Sequence, residues 1–586
     1  MESQSIVKEK PKVHGLKNNV SLYISKSHTS SRINKTGSWR FARPVYENKI
    51  APCSASCPAG NHIPKVVTHL SMGNHHAAFR ALIQENPFPA TCGRVCFHTC
   101  ESACNRGSQD QAVAFRCLER FIGDKAISDT FSLDIASLPV NGKRVAILGA
   151  GPAGLSAAYF FTRLGFSCEI FESTDRPGGV MQWGIPSHRL PKSILNHEID
   201  RIFNMGVKIH YNHSLDAEFI ALAHHNYDAV FISPGLSVPL TMGIEGEAHI
   251  HQGLALLMDI QQKIMGPKQG RLAVIGGGNT AIDVARSLKR LGADPVIVYR
   301  RRKQDMPAFD EEIWETEKEG IDILELKSPV AVQETAEGLL LKVITMSPVA
   351  EKDGDGRTRV IPVENITETM VFSEIYSGIG AACHDAWHLE NHASTICLDH
   401  VKFDAHKIPI LYGGDCVNST QSVTHAIASG KEAAISLSAF FNSGIDMVQK
   451  TVDNCRVGAG KALSMEIYLN GQRKNDSSHV VVDTEINRDY FTSAPRIDPG
   501  HILPETAVTS FDEVEKSYTE EEAMAEAQRC YQCGFCNECD NCRIFCPEIS
   551  ITRQNGKKVI DLDYCKGCGV CSVECPRNAI TMKEEK

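Results

Sequence analysis

Two strand–glycine loop–helix units in the middle of the chain, and two crowded groups of cysteine on either side of them, predict a multidomain α/β protein. The expected order is a helical N-terminal iron–sulfur domain, two Rossmann-like nucleotide-binding domains, and a small C-terminal α+β iron–sulfur domain. The 586 residues suit about four domains. Hydrophobic content of 42% and charged content of 22% are those of a globular chain. The formal net charge of −9 gives no electrostatic case for nucleic acid. No apolar run approaches the roughly 20 residues of a membrane span, and MESQSIVKEKPK has no secretory apolar core. A cytoplasmic protein is expected.

Cysteine is the unusual number. Of 22, six lie in 53–104 and ten in 530–575. In a reducing compartment such groups read as metal ligands, not disulfides. The other six (Cys117, Cys168, Cys383, Cys397, Cys416 and Cys455) are scattered and are expected to be small buried hydrophobes. Residues 1–50 are rich in Lys and Arg with little periodicity, and read as a basic, flexible or extended arm. Cys53 and Cys57 come next, then Cys92, Cys96, Cys100 and Cys104 at intervals of four. Four thiolates could hold zinc. An iron–sulfur cluster is favoured because a redox nucleotide domain follows directly and needs an electron partner.

That domain begins with RVAILGAGPAGLSAAYFFTRLGFSCEIFE at 144–172. A buried strand enters Gly149-x-Gly151-x-x-Gly154, a helix follows, and a second strand ends on Glu172. The first glycine makes the turn, the second admits a pyrophosphate, the third packs helix on strand, and the acid accepts from a ribose hydroxyl. A second unit, RLAVIGGGNTAIDVARSLKRLGADPVIVYRRR, starts at 271 with Gly276-x-Gly278-x-x-Ala281 and places Asn279 and Thr280 at the helix start. Its second strand ends on Arg300-Arg301-Arg302 instead of an acid. Guanidinium forks bind a 2′-phosphate that a carboxylate would repel, so NADPH is expected over NADH, with Arg300 and Arg301 as its readers.

The run CGRVC after NPFPAT, preceded by CPAGNHIP and followed by the glycine loop, resembles the small subunit of glutamate synthase and the N-terminal half of dihydropyrimidine dehydrogenase, over about residues 50–450. The resemblance implies a helical domain with two 4Fe–4S clusters. Cys57, Cys92, Cys96 and Cys100 match one complete ligand set. Cys53 and Cys104 match half of the other, whose two upstream cysteines are absent from this chain, so one cluster is expected here. It also implies FAD contacts for Gly178, Gly179, Arg189 and Leu190, and a closing flavin segment at 411–434 with Gly414 and Asp415. The FAD domain is then discontinuous, with the NADPH domain inserted. The expected boundaries are 1–50, arm; 51–140, helical iron–sulfur domain; 141–270 and 386–450, FAD domain; 271–385, NAD(P)H domain; 451–520, an extended Pro-punctuated connector; and 521–586, ferredoxin domain.

The C-terminal cysteines form two copies of the bacterial ferredoxin run, each ending in Cys-Pro. In that pattern the fourth cysteine of each run serves the other cluster. One set is therefore Cys536, Cys539, Cys542 and Cys575, and the other is Cys565, Cys568, Cys571 and Cys546. Cys530 and Cys533 precede the first run in the same rhythm and leave its register ambiguous; they read as free thiols or an extra site, and free thiols are expected.

Together these readings predict one FAD, NADPH (or NADH) and three 4Fe–4S clusters, with no catalytic side chain of its own because the cofactors carry the chemistry. The expected function is an NAD(P)H:ferredoxin-type oxidoreductase subunit, an enzyme of low-potential anaerobic metabolism. It would exchange electrons with a redox protein partner, ferredoxin or a larger hetero-oligomeric complex. Two alternatives stand beside it: an electron donor to a glutamate synthase or sulfite-reductase-like partner, and a non-catalytic iron–sulfur scaffold.

Overall fold

A computed structural model describes residues 33, 35–214, 216–354, 356–384, 395–405, 408–470, 473, 478–555 and 557–585. Residues 1–32 of the expected arm and the expected boundary at 385/386 lie outside them. The chain divides into two compact units. The larger is Glu47–Cys539 with Pro576–Ala579; the smaller joins the chain up to Tyr46 to Asp540–Cys575 and the stretch from Ile580 onward.

The larger unit is built on two sheets. The first has seven strands, ordered Thr395–Cys397, Lys402–Asp404, Ile410–Tyr412, Ala229–Ile232, Arg144–Leu148, Ser167–Phe171 and Lys208–His210. From Ile410–Tyr412 to Lys208–His210 every neighbour is parallel, which requires crossover helices on its faces and explains its near-continuous apolar strands. The helices Pro152–Arg163 and Val423–Ser443 meet on one face so closely that a Cβ on Gly430 would lie 2.5 Å from the Ala157 nitrogen. Between Ala229–Ile232 and Thr395–Cys397 the chain makes a second, five-stranded parallel sheet. Its order is Asp322–Leu324, Asp294–Val298, Arg271–Ile275, Glu374–Ser377, Ile250–Gln252, and a three-stranded antiparallel meander spans Lys327–Phe372. The first sheet is therefore interrupted in sequence by the second. The insertion starts earlier than the expected residue 271, because Ile250–Gln252 pairs with Glu374–Ser377 and the helix Gly253–Gln261 packs with it.

Among the described residues six α-helices precede the first sheet: Pro52–Ser56, Ile63–Ser71, His75–Ile83, Pro89–Val95, Thr99–Ser102 and Phe115–Ser128. Their buried residues, among them Val66, Leu70, Phe79, Leu82, Leu118 and Ile122, form one continuous core with Phe160, Phe161 and Ile427 of the seven-stranded layer. The helical domain is thus fused to the flavin-type fold rather than tethered to it.

The connector expected at 451–520 is not extended. It contains the helices Val448–Asn454, Met465–Asn470 and Pro504–Ala507. Its charges, which look solvated in sequence, are partners of buried charges elsewhere. Glu513 meets Arg94 at 2.6 Å and Arg120 at 3.0 Å; Glu515 meets Arg116 at 2.7 Å and Arg120 at 3.0 Å. Arg473 reaches the fully buried Glu85 at 3.2 Å, where Lys431 also pairs at 2.5 Å. The helix Glu520–Gln528 buries Ala523 and Ala527 in the same core, so the ferredoxin domain does not begin at 521.

In the smaller unit the strand Ala42–Tyr46 pairs antiparallel with Ile580–Glu584, from Ala42↔Glu584 to Tyr46↔Ile580. The last part of the expected flexible arm is therefore a sheet strand. A hairpin, Ile551–Gln554 with Lys557–Ile560, and the short helices Asn541–Ile544 and Val570–Val573 complete the unit. Ile551, Ile580, Cys542 and Cys571 form its core.

Candidate functional site

The first glycine loop has the geometry its sequence requires. Gly149 adopts φ of +95° with its carbonyl turned toward the helix, and a Cβ on Gly154 would lie 1.9 Å from that oxygen. Gly151 faces open space instead, with nothing within 4 Å of an added Cβ, and caps the helix Pro152–Arg163. Open space at a helix N-terminus is what a pyrophosphate needs. Glu172 holds the loop by accepting from the Ala150 amide (2.7 Å) and the Thr174 amide (2.9 Å). Gly179 closes over Gly151, its Cβ position 2.8 Å from the Gly151 Cα, and the Gly178 amide donates to the Ala150 carbonyl at 2.7 Å. Gly414 lies on the adjacent turn, where Ser429 Oγ accepts from its amide at 2.9 Å. Asp415 follows with a buried Oδ1 that has no hydrogen-bond partner, and burial lifts its carboxyl to about 6. An orphaned buried carboxylate oxygen beside a glycine cradle fits a bound flavin nucleotide.

Arg189 and Leu190, the other two residues implied to contact the flavin, are buried. Leu190 is fully buried. Arg189 Nη1 donates to both oxygens of Asp283 at 2.9 Å, and its Nε lies 2.9 Å from Glu312. Asp283 sits on the helix Asn279–Arg290 of the inserted fold. Arg189 therefore bolts one nucleotide fold to the other. Burial pushes Asp283 up and Arg189 pulls it partly back, to about 6.

The second loop repeats the logic. Gly276 turns at φ +137°, Gly278 caps the helix with its Cβ position essentially open, and Ala281 is buried against Gly378. Asn279 Oδ1 accepts from the Phe309 amide at 3.1 Å, and Thr280 stands half-exposed beside it. The two expected phosphate readers separate. Arg300 is exposed. Arg301 is buried, ion-paired with Asp353, and donates from Nε to the Thr358 carbonyl at 3.1 Å. Arg301 pins the meander and is not presented to a nucleotide, because the strand turn that exposes residue 300 points residue 301 inward.

In the helical domain the complete set comes together. Cys57, Cys92 and Cys100 are buried, and the Cys100 thiol lies within electrostatic reach of Cys57 and Cys96, as Cys92 does of Cys96. Burial raises all four thiols, Cys57 to about 11. Cys96 Sγ accepts from the His98 amide at 3.3 Å and from Thr424 Oγ1 at 3.2 Å. Thr424 lies in the first turn of the helix Val423–Ser443, capped by Ser422 and reached directly from the Asp415 turn. No sequence signal marked Thr424. A cavity of about 170 Å³ lined by Cys57, Asn418, Thr420 and His425 opens at this junction.

In the smaller unit Cys546, Cys565, Cys568 and Cys571 line one cavity, the crossed set the double run predicts. Of the other set, Cys542 and Cys575 belong to this unit's core and Cys536 and Cys539 to the larger unit. Among the described residues no three His, Cys, Asp or Glu side chains close to the spacing of a single metal ion.

The expectation for the scattered cysteines is corrected in part. Cys383 and Cys416 form a disulfide, because the strands Val238–Pro239 and Ala381–Ala382 pair where the chain leaves and re-enters the flavin fold. Cys397 is exposed, whereas Cys117, Cys168 and Cys455 are buried as expected. Cys530 and Cys533 are free thiols; Cys533 is buried, and it packs with Cys53 in one apolar cluster.

Residues 143–430 match the pyridine nucleotide-disulphide oxidoreductases, residues 31–131 match dihydropyrimidine dehydrogenase domain II with its 4Fe–4S cluster, and residues 558–581 match a 4Fe–4S binding domain. The chain is 31% identical over 516 residues to the NADP(+)-dependent formate dehydrogenase subunit beta of Moorella thermoacetica, covering 82% of this chain and 70% of that one. It is 32% identical to the NADPH-Fe(3+) oxidoreductase subunit beta of Geobacter sulfurreducens, across 56% of this chain and 51% of that one. To the small chain of Escherichia coli glutamate synthase it is 29% identical, across 65% and 87%. The chain belongs to this family of pyridine-nucleotide, flavin and iron–sulfur oxidoreductases, of the electron-transfer-subunit class. It spans about half of the Geobacter subunit's length, and among the described residues no helix is long and apolar enough to cross a membrane.

Proposed function

We propose that this chain passes electrons between NADPH and a low-potential redox protein, through FAD and 4Fe–4S clusters, as one subunit of a larger assembly. The observation that carries the proposal is the 3.2 Å hydrogen bond from Thr424 to the Cys96 sulfur. It joins the flavin segment directly to the complete cysteine set. When bound, the flavin takes a hydride's two electrons and releases them singly, which matches a two-electron nucleotide to one-electron clusters.

The chain's own residues supply the positioning. The Gly149–Gly154 loop and Gly179 cradle a pyrophosphate, the Gly276–Ala281 loop receives the second nucleotide, and the Arg189–Asp283–Glu312 ion pairs hold one fold against the other. Arg300 is an exposed cation at the end of the second strand and selects the 2′-phosphate. Cys57, Cys92, Cys96 and Cys100 hold the cluster nearest the flavin; the crossed ferredoxin sets lie further along the chain. Three relatives named as subunits or chains of oxidoreductases support a protein partner. Mixing the anaerobic holoprotein with NADPH should bleach first the flavin and then the clusters, and should reduce an artificial dye. Clusters that stay oxidised after the flavin is reduced would refute the route.

A further inference from the structure

The family pattern leaves Cys53 and Cys104 with half a ligand set, and the chain supplies the other half from a part of the sequence more than 400 residues on. The loop after the helix Glu520–Gln528 folds back onto the helical domain within the larger unit. The Lys49 amide donates to the Gly534 carbonyl at 3.0 Å, and Gly534, at φ +69°, lies so close that a Cβ there would stand 2.8 Å from the Lys49 carbonyl. Arg106, two residues past Cys104, donates to the Arg529 carbonyl at 3.0 Å and stacks over the Tyr531 ring at 5.1 Å. Asn105 Nδ2 donates to the Cys533 sulfur at 3.4 Å, and Cys53 packs with Cys533, Ala51, Val481 and Tyr531. The Gln532 amide donates to the Cys530 sulfur at 3.3 Å. The thiol of Cys53 accordingly feels those of Cys104, Cys530 and Cys533.

The geometry points to a fourth 4Fe–4S cluster, held by Cys53, Cys104, Cys530 and Cys533, in which the C-terminal pair replaces the pair that relatives carry upstream. Three features beyond the cysteine count fit it. Amide and side-chain N–H groups already aim at Cys530 and Cys533. Arg106 and Arg577 are close enough to act on the Cys530 thiol, where they offset a cluster's negative charge. The two sets are also neighbours in the chain: Cys53 lies in the helix Pro52–Ser56 and Cys57 directly follows it, while Cys100 lies in the helix Thr99–Ser102 and Cys104 two residues beyond it. Cys100 feels both Cys57 and Cys53.

Resting on the proposed electron route, this cluster is a relay between the flavin-side cluster and the ferredoxin run that starts at Cys536. One electron leaves a reduced neighbour, which is oxidised, and reduces this cluster; no bond or proton moves.

The test is iron, labile sulfide and zinc per FAD in the full chain purified anaerobically, with the double variant Cys530→Ser/Cys533→Ser alongside. The expected result is about 16 iron in the native chain and about 12 in the variant, four per cluster, without zinc. The reduced native chain should also show one more cluster spin by EPR than the variant. About 12 iron in the native chain overturns the site even if the variant fails to fold. So does one zinc that the variant loses. If NADPH fails to reduce the clusters while native iron is about 16, the site stands and the electron route falls.

Discussion

Arg300 and Arg301 are adjacent, identical and opposite in consequence, so replacing each separately by Ala tests the nucleotide assignment. Arg300 is exposed at the end of its strand. A charge-assisted contact with a phosphate contributes about 1.5–3 kcal/mol. Solvent screening puts an exposed arginine toward the lower end of that range. Arg300→Ala should therefore lower kcat/KM for NADPH roughly 10-fold, with about 150-fold as the upper limit. The value for NADH should change by no more than about two-fold, or ~0.4 kcal/mol. Arg301 is buried on Asp353 and the Thr358 carbonyl, so Arg301→Ala should loosen the meander and lower the unfolding midpoint while affecting both nucleotides alike. The assay is steady-state dye reduction with each nucleotide, with thermal unfolding of each variant measured in parallel. Equal losses for NADPH and NADH in Arg300→Ala, or a native preference for NADH, would refute the reasoning.

Glu85→Ala would strand Lys431, whose ammonium is fully buried on Glu85 at 2.5 Å; unfolding should become easier by about 3–5 kcal/mol, read by denaturant titration. Burial opposes ionisation of Glu515, but Arg116 and then Arg120 override it and hold the carboxyl at about 2. A depressed acid stabilises above its unfolded pKa of about 4.3 and loses that contribution as pH falls toward the folded value. Stability should therefore decline from about pH 4.3 toward about 2. Glu515→Gln should flatten that limb in denaturation curves taken across this range.

The two glycine loops were legible because backbone geometry dictates their residues: a positive φ and a helix pressed on a strand leave no choice but Gly149 and Gly154. The crossed ferredoxin set was legible for the same reason, since Cys546 serves the second run only at that spacing. What sequence concealed was partnership across distance. Arg189 gives no local sign of its ion pair with Asp283, a residue on a different fold. Glu513 and Glu515 look like a solvated linker and are the counter-charges of Arg94, Arg116 and Arg120. Arg300 and Arg301 differ only in which side of a turn they fall. Cys533 takes its contacts from Cys53 and Asn105, far earlier in the chain. None of these pairings leaves a local pattern.

The strand shared by the chain's two end regions bears on the order in which the protein matures. Arg40 and Glu585 are ion-paired across 545 residues of sequence, and closing so long a loop in an unfolded chain costs about 5–6 kcal/mol in entropy. Folding of the larger unit removes most of that cost beforehand, because it already holds Lys49 against Gly534. The small sheet therefore closes at lower entropic cost once the larger unit has formed. A consequence to test is that its cysteines are enclosed after those of the larger unit, which leaves them open for longer to oxygen and competing metals in a newly made chain.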